Sequence, residues 1–113
     1  MNIKNLVDTS YSMAIEKGWH ETERSVPELL CLIHAEVSEA LEEYRNGHET
    51  DCIYFVPDSS GNDKPEGIPI ELADIVIRIA DFCGLHNINL EEAIEIKADY
   101  NKRRPYRHGN KKC

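Results

Sequence analysis

The sequence predicts an all-α chain. Four main helices, near 3–17, 26–45, 69–84 and 90–104, would pack as an antiparallel bundle completed by oligomerisation. Three observations carry this expectation. Apolar residues recur at helical spacing through each segment. Three helix starts carry capping signals, and the stops fall at Gly, Asn-Gly or Pro. The stretch from Glu71 to Cys83 also presents more apolar circumference than a body of 113 residues can cover by itself.

Asn2 is the expected cap of the first helix, whose Ile3, Leu6, Val7, Ser10, Met13, Ala14 and Lys17 recur at helical spacing before Gly18. Trp19, the only tryptophan, follows in the turn as either a core plug or a stacking surface for a base, the core plug being the favoured expectation. Ser25-Val26-Pro27-Glu28 is a capping box with proline in the first turn of the second helix, which Asn46-Gly47 ends. Leu29, Leu30, Ile33, Val37, Ala40, Leu41 and Tyr44 form its expected buried stripe. Glu36, Glu39 and Glu43 share its flank, either as a solvated acidic edge or as a ligand pair, Glu36 and Glu39, with Glu43 in support.

Residues 46–67 form a long loop rich in Gly, Pro, Asp, Asn and Ser. Its one apolar run, Cys52 to Val56, suits a short strand or a docking flap. In the third helix Glu71, Asp74, Arg78 and Asp81 fall within a window roughly 80° wide, and Gly84 is expected to break it. Such a narrow charged seam is either the helix's one solvated strip or a shielded line of carboxylates, costly unless paired or holding a metal. Asn89 caps the fourth helix, with Glu92 in its third position and Pro105 at its end. Leu90, Ala93 and Ile94 would face inward, and the same line reaches Lys97, Asn101 and Arg104. Those three either point toward the packed side or lie solvated on a frayed end. Residues 105–113 form a basic tail expected to be mobile.

The chain, 1–113, reads as a single domain. No apolar run approaches the ~20 residues of a membrane span, and Lys4 is not followed by a signal-like apolar stretch. Cys31, Cys52, Cys83 and Cys113 are too scattered for a disulfide framework or a zinc knuckle, and the expected location is the cytoplasm. The net charge of −8 divides into −14 over residues 1–96 and +6 over 97–113. An acidic body with a basic tail is a poor nucleic-acid binder. It suits a small polyanion with divalent cations between acids and phosphates.

Glu36/Glu39 and Glu71/Asp74 are both i, i+3 pairs, each on one helix face. Packed antiparallel, the two helices would bring four carboxylates to one seam, where they need cations to stay ionised. Oxygen-only ligands suit Mg²⁺ or Mn²⁺. A di-iron site would want a Glu-x-x-His on two helices, which neither pair supplies.

The pair Glu36-x-x-Glu39 with Glu71-x-x-Asp74 resembles the signature of the MazG-like all-α nucleoside triphosphate pyrophosphohydrolase superfamily. Lys64-Pro-Glu-Gly-Ile-Pro before Glu71, Lys97 with Asn101, and the Arg104-Pro-Tyr-Arg-His-Gly tail extend the resemblance over roughly Leu29 to Lys112. The chain departs from it at Ala35, where many members have Glu. The resemblance implies a helical bundle assembled as a dimer or tetramer. It implies hydrolysis of a (deoxy)nucleoside triphosphate to the monophosphate and pyrophosphate, a nucleotide-pool house-cleaning reaction. Glu36, Glu39, Glu71 and Asp74 would hold Mg²⁺, with Mn²⁺ as substitute. Glu36, Glu39 and Lys97 would serve catalysis, and Lys97, Asn101, Arg104 and Trp19 would bind substrate. The alternatives are a phosphoribosyl-ATP pyrophosphohydrolase, disfavoured by the long loop and the tail, and a non-catalytic nucleotide-binding helical module.

Overall fold

A computed structural model describes residues 1–113. The chain is mostly helical. In order come α1 (Ile3–Glu16), α2 (Val26–Arg45), the strands β1 (Tyr54–Pro57) and β2 (Asp63–Glu66), α3 (Ile68–Leu85), α4 (Leu90–Arg103) and the single turn α5 (Arg107–Asn110). The three expected caps are in place. Asn2 Oδ1 accepts from the Asn5 N–H at 2.8 Å, Ser25 Oγ from Glu28 at 3.2 Å, and Asn89 Oδ1 from Glu92 at 3.1 Å. Each satisfies an amide that the helix start leaves without an acceptor.

α1 and α2 both pack on α3. α4 packs against α1 and makes no substantial contact with the α2–α3 pair, so the expected four-helix antiparallel bundle is not closed. The radius of gyration, 16.9 Å, exceeds the about 13 Å of a compact domain this long. Burial is sparse for the same reason. Ala80 and Cys83 are the buried apolar side chains, and Ser10, Glu36 and Glu71 are buried as well.

The expected stripe of α2 is split: Leu29, Ile33 and Ala40 are half-buried. Leu30, Val37, Leu41 and Tyr44 are exposed, Leu41 at 57% and Tyr44 at 64%, while Glu36 faces the interior. α3 likewise turns its charged seam inward and leaves Leu72 and Val76 outside. The inward line expected of α4 also fails: Ala93 and Ile94 are exposed, and α4 has no buried residue. No helix is long and apolar enough to cross a membrane.

Gly84 does not break α3, which runs on to Leu85. Its lack of a side chain instead admits α1, since a Cβ there would stand 2.5 Å from Tyr11 Cβ. Gly84→Ala is expected to destabilise the chain by about 1–3 kcal/mol through overpacking, read as a lower urea midpoint.

The apolar run of the long loop becomes β1. It pairs antiparallel with β2, from Tyr54 opposite Glu66 to Pro57 opposite Asp63. Asp58 Oδ1 accepts from the amides of Ser60 and Asn62, at 2.8 and 2.9 Å, and shapes the turn. An isolated two-stranded hairpin is marginal in water, and this one is anchored to α2. The Tyr54 hydroxyl donates to Glu43, 2.9–3.0 Å from its carboxylate oxygens. That bond pushes the Tyr54 phenol up to about 12. Tyr54→Phe is expected to free the hairpin and speed proteolytic nicking within residues 46–67, while the far-ultraviolet helix signal stays unchanged. The basic tail, expected to be mobile, is set as a turn in which His108 and Gly109 have positive φ.

Candidate metal and nucleotide site

The charges of α3 project as one line from Glu71 to Asp81, and each meets a side chain of α2 or of the turn between α1 and α2. At the Asp81 end, His20 Nε2 lies 2.7 Å from Asp81 Oδ1. In the middle, Arg78 Nε donates to Glu36 Oε1 at 2.8 Å. At the other end Glu36, Glu71 and Asp74 each place a carboxylate oxygen within 4.8 Å of the others. The seam is therefore shielded rather than a solvated strip.

Glu71 is only 6% exposed and Glu36 8%. The Oε2 atoms of both are buried with no hydrogen-bond partner. Burial pushes the Glu71 carboxyl up to about 8, and Glu36 and Glu39 beside it add to the effect. Asp74 is also raised, by burial first and then by Glu36, with Arg78 opposing. These are the signs of acids crowded without enough positive charge. Two partnerless buried carboxylate oxygens and a half-buried Asp74 form an all-oxygen donor set that fits a hard divalent cation such as Mg²⁺ or Mn²⁺.

A cleft of about 420 Å³ opens beside this cluster. Glu36, Asp74 and Arg78 line it together with Trp19, His20 and Arg24. Trp19 is 59% exposed, so the core-plug expectation is wrong. The Arg24 guanidinium sits 5.4 Å from its ring centroid, a cation–π arrangement. The turn after α1 thus brings an exposed aromatic ring and a guanidinium to the cleft.

Of the residues singled out from the sequence, the fold brings Glu36, Glu71 and Asp74 together and puts Trp19 on the same cleft. Glu39 is exposed at the cluster's edge, near enough to raise Glu71 and Asp74. Lys97, Asn101 and Arg104 are not brought to the acids within one chain. Lys97 Nζ and the Arg104 guanidinium instead lie 4.9 and 5.5 Å from the Tyr100 ring centroid. The cations that do reach the acids are Arg78 on Glu36 and Lys64, whose Nζ is 3.1 Å from Glu66 Oε1.

Sequence reading missed the His20–Asp81 pair and the role of Arg78. The signal for both was the seam itself: four charges on a mostly apolar helix require partners, but their identity depends on contacts 61 and 42 residues away. A scan against protein-family models and searches of curated proteins and of solved structures find no match to this chain.

Proposed function

We propose that the chain hydrolyses a nucleoside triphosphate to the monophosphate and pyrophosphate, with Mg²⁺ held by Glu36, Glu71 and Asp74. The observation that carries this reading is the pair of buried, partnerless carboxylate oxygens on Glu36 and Glu71, with Glu36 and Asp74 of that cluster lining a cleft that an exposed tryptophan also lines. Bound there, Mg²⁺ would supply Lewis-acid polarisation of the phosphate oxygens and a more acidic water.

The chain's own residues do the rest. Arg78 holds Glu36 through Oε1 and leaves its buried Oε2 without a partner, free for the ion. Glu39, exposed at the edge, orients the attacking water and accepts its proton. Trp19 and Arg24 hold the base. The acidic cluster repels a bare triphosphate, so binding without a divalent cation is weak.

The exposed stripe of Leu30, Val37, Leu41 and Tyr44 on α2, with Leu72 and Val76 on α3, supports a homo-oligomer, most simply a dimer, formed on that face. Sedimentation is expected to give a species heavier than the 12.9 kDa chain at tens of micromolar protein; a clean monomer refutes this assembly. Lys97, Asn101 and Arg104 would then meet the phosphates from a second copy. Mixing Asp74→Asn with Lys97→Met chains is expected to restore part of the activity each lacks alone.

Pyrophosphate release from a panel of common NTPs and dNTPs, with Mg²⁺ and with EDTA, tests the activity. Mg²⁺-dependent release from at least one nucleotide is expected, and release from none overturns the reading. One observation favours a second reading, a non-catalytic nucleotide-binding module: within one chain both cations at the acids are already engaged by carboxylates. A thermal shift with nucleotide and no turnover selects it.

A further inference from the structure

Glu71 belongs to a second group of acids. Its carboxylate, that of Glu43 on α2 and that of Glu66 at the end of β2 each offer an oxygen within 4.8 Å of the others. We propose that Glu43, Glu66 and Glu71 form a second divalent-cation site, sharing Glu71 with the Glu36–Glu71–Asp74 site.

The first support is Glu71 itself. No protein group donates to its Oε2, and the residue is only 6% exposed. An ionised carboxylate in that position is costly without a cation. It also belongs to two acid groups at once, with Glu36 and Asp74 in one and with Glu43 and Glu66 in the other. A carboxylate has two oxygens and about four lone-pair directions, enough to bridge two ions about 3.5–4 Å apart.

The second support is charge. Glu36, Glu39, Glu43, Glu66, Glu71 and Asp74 crowd this region, and Arg78 and Lys64 are the cationic side chains paired with them. With all six ionised, as ion binding requires, six carboxylates against two cations leave four negative charges uncompensated. One divalent ion removes half of that excess and two remove it.

The third support is that the outer ligands are held in position. The Tyr54 hydroxyl grips Glu43, and His48 stacks on Tyr54 with centroids 4.6 Å apart while its Nε2 lies 3.6 Å from Glu43. Glu66 comes from the strand paired with Tyr54, directly opposite it. Lys64 reaches Glu66 on a largely exposed stem and can swing outward as an ion enters. The hairpin therefore delivers a ligand that α2 and α3 alone do not have, and ion binding would lock it down.

This inference rests on the proposed function only through the shared Glu71, and the test separates the two. Mn²⁺ alone is titrated into the metal-free chain, and free Mn²⁺ is followed by its paramagnetic resonance signal. Two bound equivalents per chain are expected, with the broadened spectrum of a coupled pair. Glu66→Gln and Glu43→Gln, checked for unchanged helix content, should each bind one equivalent and lose the coupling. Asp74→Asn should also keep one, and Glu71→Gln should weaken both sites at least 10-fold. A single equivalent in the parent, or two equivalents in both Glu66→Gln and Glu43→Gln, overturns the second site and leaves the first standing. No bound Mn²⁺ at all removes both.

Discussion

Asp74→Asn is expected to cut Mg²⁺-dependent pyrophosphate release about 100-fold or more, on the order of 2.7 kcal/mol of transition-state stabilisation. The substitution keeps the side-chain volume and removes one charged oxygen from the three-carboxylate cluster. Glu71→Gln should do at least as much, because Glu71 stands in both acid groups. Neither change should unfold the chain. Without metal the acids repel one another, so in EDTA both variants should melt no lower than the parent. In Mg²⁺ the order should reverse, because only the parent gains the full free energy of ion binding. Melting curves in EDTA and in Mg²⁺, alongside pyrophosphate assays, check both halves. Parent-level turnover in either variant would remove the metal assignment.

The metal-free chain should lose stability as the pH rises from about 5 to about 8. Glu71 has its carboxyl raised from 4.5 to about 8 in the folded chain. Below 4.5 the group is protonated in both states, and its contribution is fully present. Between the two values the folded state holds a proton that the unfolded state has released. Stability then falls with pH, by up to about 1.4 kcal/mol per unit for one such group. Asp74, also raised, adds a slope of the same sign. Glu71→Gln should flatten the profile, most visibly at pH 8 in EDTA. Saturating Mg²⁺ should flatten it too, because ion binding expels the Glu71 proton. For the same reason Mg²⁺ affinity should fall as the pH drops below about 8. A parent melting temperature in EDTA that holds level or rises from pH 5 to pH 8 would contradict the burial of an ionisable Glu71. Calorimetric scans at unit pH steps decide it.

The local features of the fold were legible because they depend on neighbours in sequence. Caps at Asn2, Ser25 and Asn89 bond amides three residues on. α2 begins at Val26 and ends at Arg45 as expected, since Pro27 and Asn46-Gly47 act within one turn. The i, i+3 acids of α3 were sure to share a face once the helix was known. The hairpin was legible only as a run of apolar residues. Its anchor, Tyr54 on Glu43, and its ligand Glu66 depend on a register that composition does not carry.

The sequence by itself determined the helices, their caps and the grouping of charge along α3, because a period of 3.6 residues and a capping side chain act locally. Only the tertiary structure decided which side of each helix is inside. Hydrophobic burial is non-directional: it favours covering the stripe of Leu30, Val37, Leu41 and Tyr44 without saying with what. In the single chain directed polar pairs share the helix contacts with Ala80, Cys83 and half-buried apolar side chains: Arg78 with Glu36 and His20 with Asp81. Those pairs turn the carboxylates of α2 and α3 toward each other, and Leu30, Val37, Leu41 and Tyr44 of α2 and Leu72 and Val76 of α3 are left outward. The same geometry decided that the fourth helix lies against α1, with Lys97 and Arg104 around Tyr100 rather than at the acids. A helix's inward line can be drawn from its own residues only when the partner it packs against is known.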